Sequence, residues 1–226
     1  VFPALLKPNF GDSSVGITKD AVVKNERALI EYLDKLRTLF PKRNMPVLVQ
    51  EYLTGAEYSV QMIGNPDQGL RALAILEVDF SKLDPNLPKI LGYESKWDPE
   101  SPYWTQIRYH EATLPDHIQQ QLIEHSARLF ERLACRDYAR FDYRADAKGE
   151  VKLLEVNPNP GWCWDGKMNL MAGFQGIRYS ELLAQILQSA VERTGVVAKV
   201  APVQASANGN GNGQNHAAAI VHAADE

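Results

Sequence analysis

Two cysteines, Cys135 and Cys163, are all that the 226 residues contain. That is too few for a disulfide scaffold, and their spacing is not that of a zinc site. Both read as free thiols of a reducing cytoplasm. A basic run is missing as well: Lys and Arg number 24 against 28 Asp and Glu, for a formal net charge of −4. Binding a phosphate backbone needs a concentrated basic face, so nucleic acid is not an expected partner. No stretch reaches the roughly 18 apolar residues of a bilayer span, and no signal-peptide pattern opens the sequence. Neither a Walker A sequence nor a dinucleotide fingerprint occurs, and there is no internal repeat. The histidines His110, His117, His125, His216 and His222 are scattered and carry no assigned chemistry. What is present is 45% hydrophobic and 23% charged, the balance of a soluble globular chain with one large domain or two small ones.

The sequence begins abruptly: Val1-Phe2-Pro3 leads straight into a strand-like Ala4 to Pro8, which predicts further sequence upstream. A turn-rich loop, Asn9 to Ser14, and an extended Val15 to Val23 follow. Asn25 is a good N-cap for a helix carrying Leu29, Ile30, Leu33, Leu36, Leu39 and Phe40 and ended by Pro41. Val47 to Leu53, Tyr58 to Ile63 and Leu70 to Val78 read as strands. Residues 79–108 read as a long functional loop. A second helix spans about Pro115 to Ala134, two strands span Tyr138 to Arg144 and Val151 to Val156, and a last helix spans about Tyr179 to Arg193. From Pro202 the Asn-Gly-Ala composition predicts a flexible tail.

The most informative chemistry lies in Arg140-Phe141-Asp142 and Glu155-Val156-Asn157. Side chains alternate along a strand, so Arg140 and Asp142 share a face, as do Glu155 and Asn157. If the intervening turn pairs Asp146 with Val151, Asp142 falls opposite Glu155 and three oxygen ligands converge. Mg²⁺ prefers such ligands and completes its shell with water and substrate phosphates. Arg140 adds an always-charged planar donor for a phosphate or a developing oxyanion. The competing reading is a surface charge cluster, though facing carboxylates repel unless a cation separates them. Pro158-Asn159-Pro160-Gly161 stops the strand where the ligands end.

Near the start, Lys7-Pro8-Asn9-Phe10-Gly11-Asp12-Ser13-Ser14-Val15-Gly16 follows a strand and offers backbone N–H groups and hydroxyls to a triphosphate, with Lys7 as counter-charge. Taken alone, a plain hairpin turn with an exposed lysine is the better explanation of such a loop.

Together these segments resemble the ATP-grasp superfamily, and in particular the D-alanine–D-alanine ligases, from about residue 3 to residue 193. Two further stretches agree in order: Val47-Leu48-Val49-Gln50-Glu51-Tyr52-Leu53-Thr54-Gly55-Ala56-Glu57-Tyr58 and Tyr93-Glu94-Ser95-Lys96-Trp97. The resemblance implies an α+β ATP-grasp fold, two α/β lobes with largely antiparallel sheets gripping ATP. It divides the chain into a partial small lobe over 1–63, a C-terminal lobe with the metal site over 64–198 and the tail over 199–226. It also implies roles. Lys7 and Lys96 contact ATP phosphates under the Ser13-Ser14 loop, and Gln50 with Glu51, Tyr52 and Leu53 holds adenine. Glu57 takes the ribose hydroxyls. Asp142, Glu155 and Asn157 ligate two Mg²⁺ ions (Mn²⁺ being an acceptable substitute). Arg140, with Lys96 and Ser13, does the catalytic work of stabilising an acyl phosphate and a tetrahedral intermediate.

Trp97, Gly161, Gly166 and Lys167 fall at the substrate end, and there the sequence departs from the family. Trp97 replaces a usual Tyr, so a hydroxyl network to the serine loop cannot form. Gln50 replaces a Glu, and Trp162-Cys163-Trp164-Asp165-Gly166-Lys167 is more aromatic and more charged than its counterpart. The expected function is therefore an ATP-dependent carboxylate–amine ligase acting on amino-acid or peptide substrates. A nucleotide-binding module without catalysis is the alternative, and a two-carboxylate hydrolase leaves Lys7 and the serine loop without a role. Expected partners are small-molecule substrates and an upstream domain, with a homodimer as one option for assembly. Neither nucleic acid nor a membrane is expected, and the expected location is the cytoplasm.

Overall fold

Buried Ala4 and Leu6 alternate with half-buried Leu5 and Lys7, and in the computed structural model, which describes residues 1–41 and 46–196, this alternation belongs to a strand. Strand β1 (Ala4–Pro8) lies between β2 (Val22–Val23) and β3 (Val47–Glu51), antiparallel to both. Helix α1 (Glu26–Leu39) starts at Asn25, whose side chain accepts from the Ala28 N–H at 3.0 Å. The helix covers the sheet with Tyr32 and Leu36, packed on Ala4, Leu6, Ala21 and Val23. The buried Tyr32 hydroxyl donates to the Gly16 carbonyl at 3.1 Å and accepts from the Thr18 N–H at 3.1 Å. Those bonds bend the chain where the sequence predicts an extended Val15 to Val23. A 3-10 turn, Lys19–Ala21, stands there instead, and only Val22 and Val23 are strand.

A second sheet has six strands, in the order β7 (Arg108–Glu111), β6 (Leu76–Asp79), β4 (Glu57–Ile63), β8 (Tyr138–Ala145) and β9 (Val151–Asn157), with β5 (Arg71–Ala72) paired to β4. All seven residues of β4 are buried, as expected of a central strand covered on both faces. Helix α4 (Asp116–Arg132) packs on β4 through a face that includes Leu122 and Phe130, and α6 (Tyr179–Thr194) adds Leu182 and Ile186. Buried Ser126 of α4 lies 2.9 Å from the Tyr143 hydroxyl of β8. The expected strand Leu70 to Val78 is split into β5, which pairs with the end of β4 and carries that pairing on through the Leu73 N–H to the Gln61 carbonyl at 2.9 Å, and the separate β6. Residues 79–108 are not wholly loop: they contain α2 (Glu94–Trp97) and α3 (Pro102–Gln106).

The chain divides into two compact units whose segments alternate along the sequence. One comprises Val1–Ala56, Val78–Tyr109 and Arg144–Val151, and the other Glu57–Glu77, His110–Tyr143 and Lys152 onward. The boundary read from the sequence falls at the end of β4, whereas the units part at its beginning, because β4 pairs with β8. The tail expected over 199–226 lies outside the described residues. No helix among the described residues is long and apolar enough to cross a membrane.

Within the second unit Asp137 anchors β8. Arg193 donates to it through Nε at 2.9 Å and Nη2 at 2.8 Å, and Asn65 Nδ2 donates at 3.0 Å while accepting from the Asp137 N–H at 3.0 Å. The hydrogen bond from Arg193 holds the Asp137 carboxyl below its ordinary range against the opposing effect of burial, and Asn65 assists. A lowered folded-state pKa gives stability that is present above the unfolded value of about 3.9 and lost as pH falls through the folded one. Asp137→Asn, which still tolerates the positive φ of 66°, should lower the melting temperature at pH 7 by roughly 2–4 °C. That deficit should shrink as melts are taken at progressively lower pH below about 4; a deficit independent of pH would exclude this linkage.

Candidate functional site

The alternation of β8 and the path of β9 bring four sequence-selected residues together. Arg140 donates to Asp142 in a fork, Nε to Oδ1 at 2.9 Å and Nη2 to Oδ2 at 3.0 Å. The amide nitrogen of Asn157 donates to Asp142 Oδ2 at 3.1 Å and to Glu155 Oε1 at 3.1 Å. Asp142, Glu155 and Asn157 therefore converge on one side of the sheet. The turn leading into β9 differs in detail from the expectation. Asp146 donates its N–H to the Glu150 carbonyl at 2.9 Å, one residue before Val151, since Gly149 at a φ of +85° admits a bulge there. The convergence holds despite that shift.

Two further groups complete the cluster. Ser59 of β4, fully buried, donates to Asp142 Oδ1 at 2.6 Å, and Lys167 Nζ donates to the same Ser59 hydroxyl at 3.2 Å. Burial alone raises a carboxyl pKa, but the charges of Lys167 and Arg140, with hydrogen bonds from Arg140 and Ser59, overcome it. They hold Asp142 well below the usual carboxylate range. Ser59 escapes the sequence reading, although a signal for it exists. Glu57, Ser59 and Gln61 are polar at alternate positions of an otherwise apolar strand, and all three are buried.

The donor set suits a hard cation. One point, at the Asn157 amide, lies 3.1 Å from a carboxylate oxygen of Asp142 and of Glu155, and a half-turn of that amide presents its oxygen instead of its nitrogen. Among the described residues no three His, Cys, Asp or Glu side chains gather around a metal position. Mg²⁺ does not require such a cage, because water and phosphate complete its shell.

Lys167 opens α5 (Lys167–Phe174), a helix the sequence reading misses because Leu170 and Phe174 spread its apolar residues beyond the face of the buried Met168, Met171 and Ala172. Gly166 is its N-cap, and a Cβ there would stand 2.9 Å from Cys163 Sγ. Gly161, Trp162 and Trp164 are exposed. Trp162 packs edge-on against Tyr138 at 5.4 Å.

In the first unit Lys7 is half-buried on β1 and pairs in register with Leu48, while Gln50 and Glu51 of β3 are exposed and Tyr52 and Leu53 half-exposed. Ser13 and Ser14 sit at φ of 55° and 58°, left-handed values that few side chains adopt. The segment 91–97 holds that loop. Ser14 Oγ donates to the Leu91 carbonyl at 3.0 Å, and the Tyr93 N–H donates to the Ile17 carbonyl at 2.7 Å. Trp97 Nε1 donates to the Ser13 carbonyl at 3.1 Å. The link between position 97 and the serine loop is thus kept, but through the main chain rather than a hydroxyl. Lys96, on the same short helix, is exposed. A cavity of about 830 Å³ in this unit has Tyr52 on its wall but no other sequence-selected residue, so it is not where the chemistry gathers.

A family model for the C-terminus of D-alanine–D-alanine ligase matches residues 1–188. The D-alanine–D-alanine ligase of Haemophilus influenzae (strain PittEE) is 30% identical over 187 residues, covering 82% of this chain and 55% of that protein. That of Cupriavidus metallidurans is 27% identical over 190 residues, covering 83% and 52%. Among solved structures, the D-alanine–D-alanine ligase of Bacillus anthracis aligns with a TM-score of 0.64 at 25% identity, over 86% of this chain and 56% of that one. The same ligase complexed with ATP aligns with a TM-score of 0.63 at 21% identity, over 86% and 54%. The fold is therefore the α+β ATP-grasp fold, and the chain spans about half the length of the relatives it matches.

Proposed function

The chain belongs to the family defined by the D-alanine–D-alanine ligase C-terminus, and from that premise we propose that it is the nucleotide- and metal-binding part of an ATP-dependent carboxylate–amine ligase acting on amino-acid or peptide substrates. The observation that carries the proposal is the convergence of Arg140, Asp142, Glu155 and Asn157 on one side of a sheet, held from behind by Ser59. The presence of this set, Arg140 above all, speaks against a nucleotide-binding module that has lost catalysis.

In the proposed reaction a substrate carboxylate oxygen attacks the γ-phosphorus of ATP, ADP leaves, and an acyl phosphate results. An amine then attacks the acyl carbon, and inorganic phosphate departs as the amide forms and the amine loses a proton. Such chemistry needs mainly positioning and charge neutralisation. Asp142, Glu155 and Asn157 would hold Mg²⁺, two ions by family resemblance, which neutralises the triphosphate. Arg140 would neutralise the transferred phosphoryl group and the later oxyanion. Lys7, Lys96 and the Ser13-Ser14 loop would take the phosphates. Gln50, with Glu51, Tyr52 and Leu53, would take adenine, and Glu57 the ribose. Gly161, Gly166, Lys167 and Trp97 would border the substrates. The test is ADP release by the full-length protein across a panel of amino acids and dipeptides. Release should require both a carboxylate and an amine substrate; nucleotide binding with no turnover on any member would favour the inactive module.

Trp97→Phe keeps an aromatic ring at this exposed position while removing the indole N–H and its bond to the Ser13 carbonyl. One exposed hydrogen bond contributes about 1 kcal/mol, so KM for ATP should rise about fivefold with kcat changed less. Unchanged nucleotide kinetics would mean that Trp97 does not order the loop.

A further inference from the structure

The carboxylate cluster carries its own counter-charge. Asp142 and Glu155 supply two negative charges, and Arg140 and Lys167 supply two positive ones. Arg140 is bonded directly to Asp142. The Lys167 ammonium is one hydroxyl away, 3.2 Å from Ser59 Oγ, which is itself 2.6 Å from Asp142 Oδ1. Its position is costly for the helix it opens. A cation in the first turn of α5 opposes the helix dipole, which favours anions there. Gly166 offers no side-chain cap to offset this. The carboxylate cluster, not the helix, rewards a lysine at this position.

A divalent cation approaching these four side chains alone meets a group with no net charge, and it must be partly stripped of strongly held water to bind. A nucleotide triphosphate brings the missing negative charge. We propose that Lys167 is a built-in counter-ion which makes the Asp142–Glu155–Asn157 site take up its divalent cation only together with the nucleotide. The inference rests on the metal reading given above and adds an order of binding to it. Lys167 acts here as a positioning residue, through charge rather than by contact with reacting atoms.

The test is Mn²⁺ binding to the full chain without substrates, read as the loss of the free-ion electron paramagnetic resonance signal and, where an ATP analogue that itself binds the ion is present, as Mn²⁺ held on the protein side in equilibrium dialysis. Wild type should bind Mn²⁺ weakly by itself and firmly with a non-hydrolysable ATP analogue. Lys167→Met, which keeps the length of the stem and relieves the helix dipole, should bind Mn²⁺ alone at least about tenfold more tightly than wild type. Lys167→Arg should behave as wild type, which separates charge from shape and provides a folded control. Equal Mn²⁺ affinity of wild type and Lys167→Met without nucleotide would overturn the counter-ion while leaving the metal site standing. No Mn²⁺ uptake by either protein, even with the analogue present, would overturn the site and this inference with it.

Discussion

Glu155→Gln in the full-length protein should abolish Mg²⁺-dependent turnover, lowering kcat by at least about a thousandfold, with the fold intact. Glu155 is exposed and accepts a hydrogen bond from the Asn157 amide, so a neutral isostere leaves no buried group unpaired and the melting temperature should hold. The amide oxygen of Gln still accepts the Asn157 bond, but it lacks the charge and the second ionised oxygen that a hard cation draws on. Loss of activity with loss of fold would say nothing for a ligand role. Near-normal kcat with a normal fold would remove Glu155 from the site.

Arg140→Met should lower kcat by about a hundredfold to a thousandfold, in the range seen when one preorganised donor to a developing charge is removed. The fork that Arg140 makes with Asp142 is nearly buried, its side chain 17% exposed and that of Asp142 7%. The substitution therefore also leaves Asp142 with only Lys167, Ser59 and the Asn157 amide to support it, and its carboxyl pKa should rise from the depressed position it now holds. Arg140→Lys should fall between the two, because a point charge replaces a planar two-pronged donor. Steady-state kinetics separate the roles: an unchanged KM for ATP with reduced kcat marks a group acting on the transition state. A change confined to KM would reassign Arg140 to nucleotide binding.

Where the pattern is local, the sequence shows it. Alternation fixes β1 to its residue, and the Asn25 cap with Leu29, Leu33 and Leu36 fixes α1. The period-two relation of Arg140 to Asp142 and of Glu155 to Asn157 is enough to expect a shared face, and the structure has it. What fails depends on distant partners. Val15 to Val23 reads as extended from its β-branched residues, but Tyr32, 14 residues beyond Thr18, bends it into a turn. The register of the turn at Gly149 hinges on a positive φ that spacing cannot reveal. Helix α5 has apolar residues all round, Leu170 and Phe174 beside Met168, Met171 and Ala172, so its one-face spacing is masked in the sequence. Ser59 belongs to the site only because β4 lies beside β8, although its place in a polar every-other-residue series within a hydrophobic strand is visible in the sequence. For Trp97 the chemistry is legible but not the partner: an indole can only donate, and the acceptor it finds is a main-chain carbonyl.

Crystals of the protein grown with Mn²⁺ and a non-hydrolysable ATP analogue, examined at the manganese absorption edge, address the metal site most directly. The expected result is an anomalous peak within about 2.0–2.4 Å of oxygens from Asp142, Glu155 and Asn157, also touching the nucleotide phosphates. Nucleotide bound with its metal elsewhere, or a peak that leaves Asp142 and Glu155 uncoordinated, would contradict the assignment.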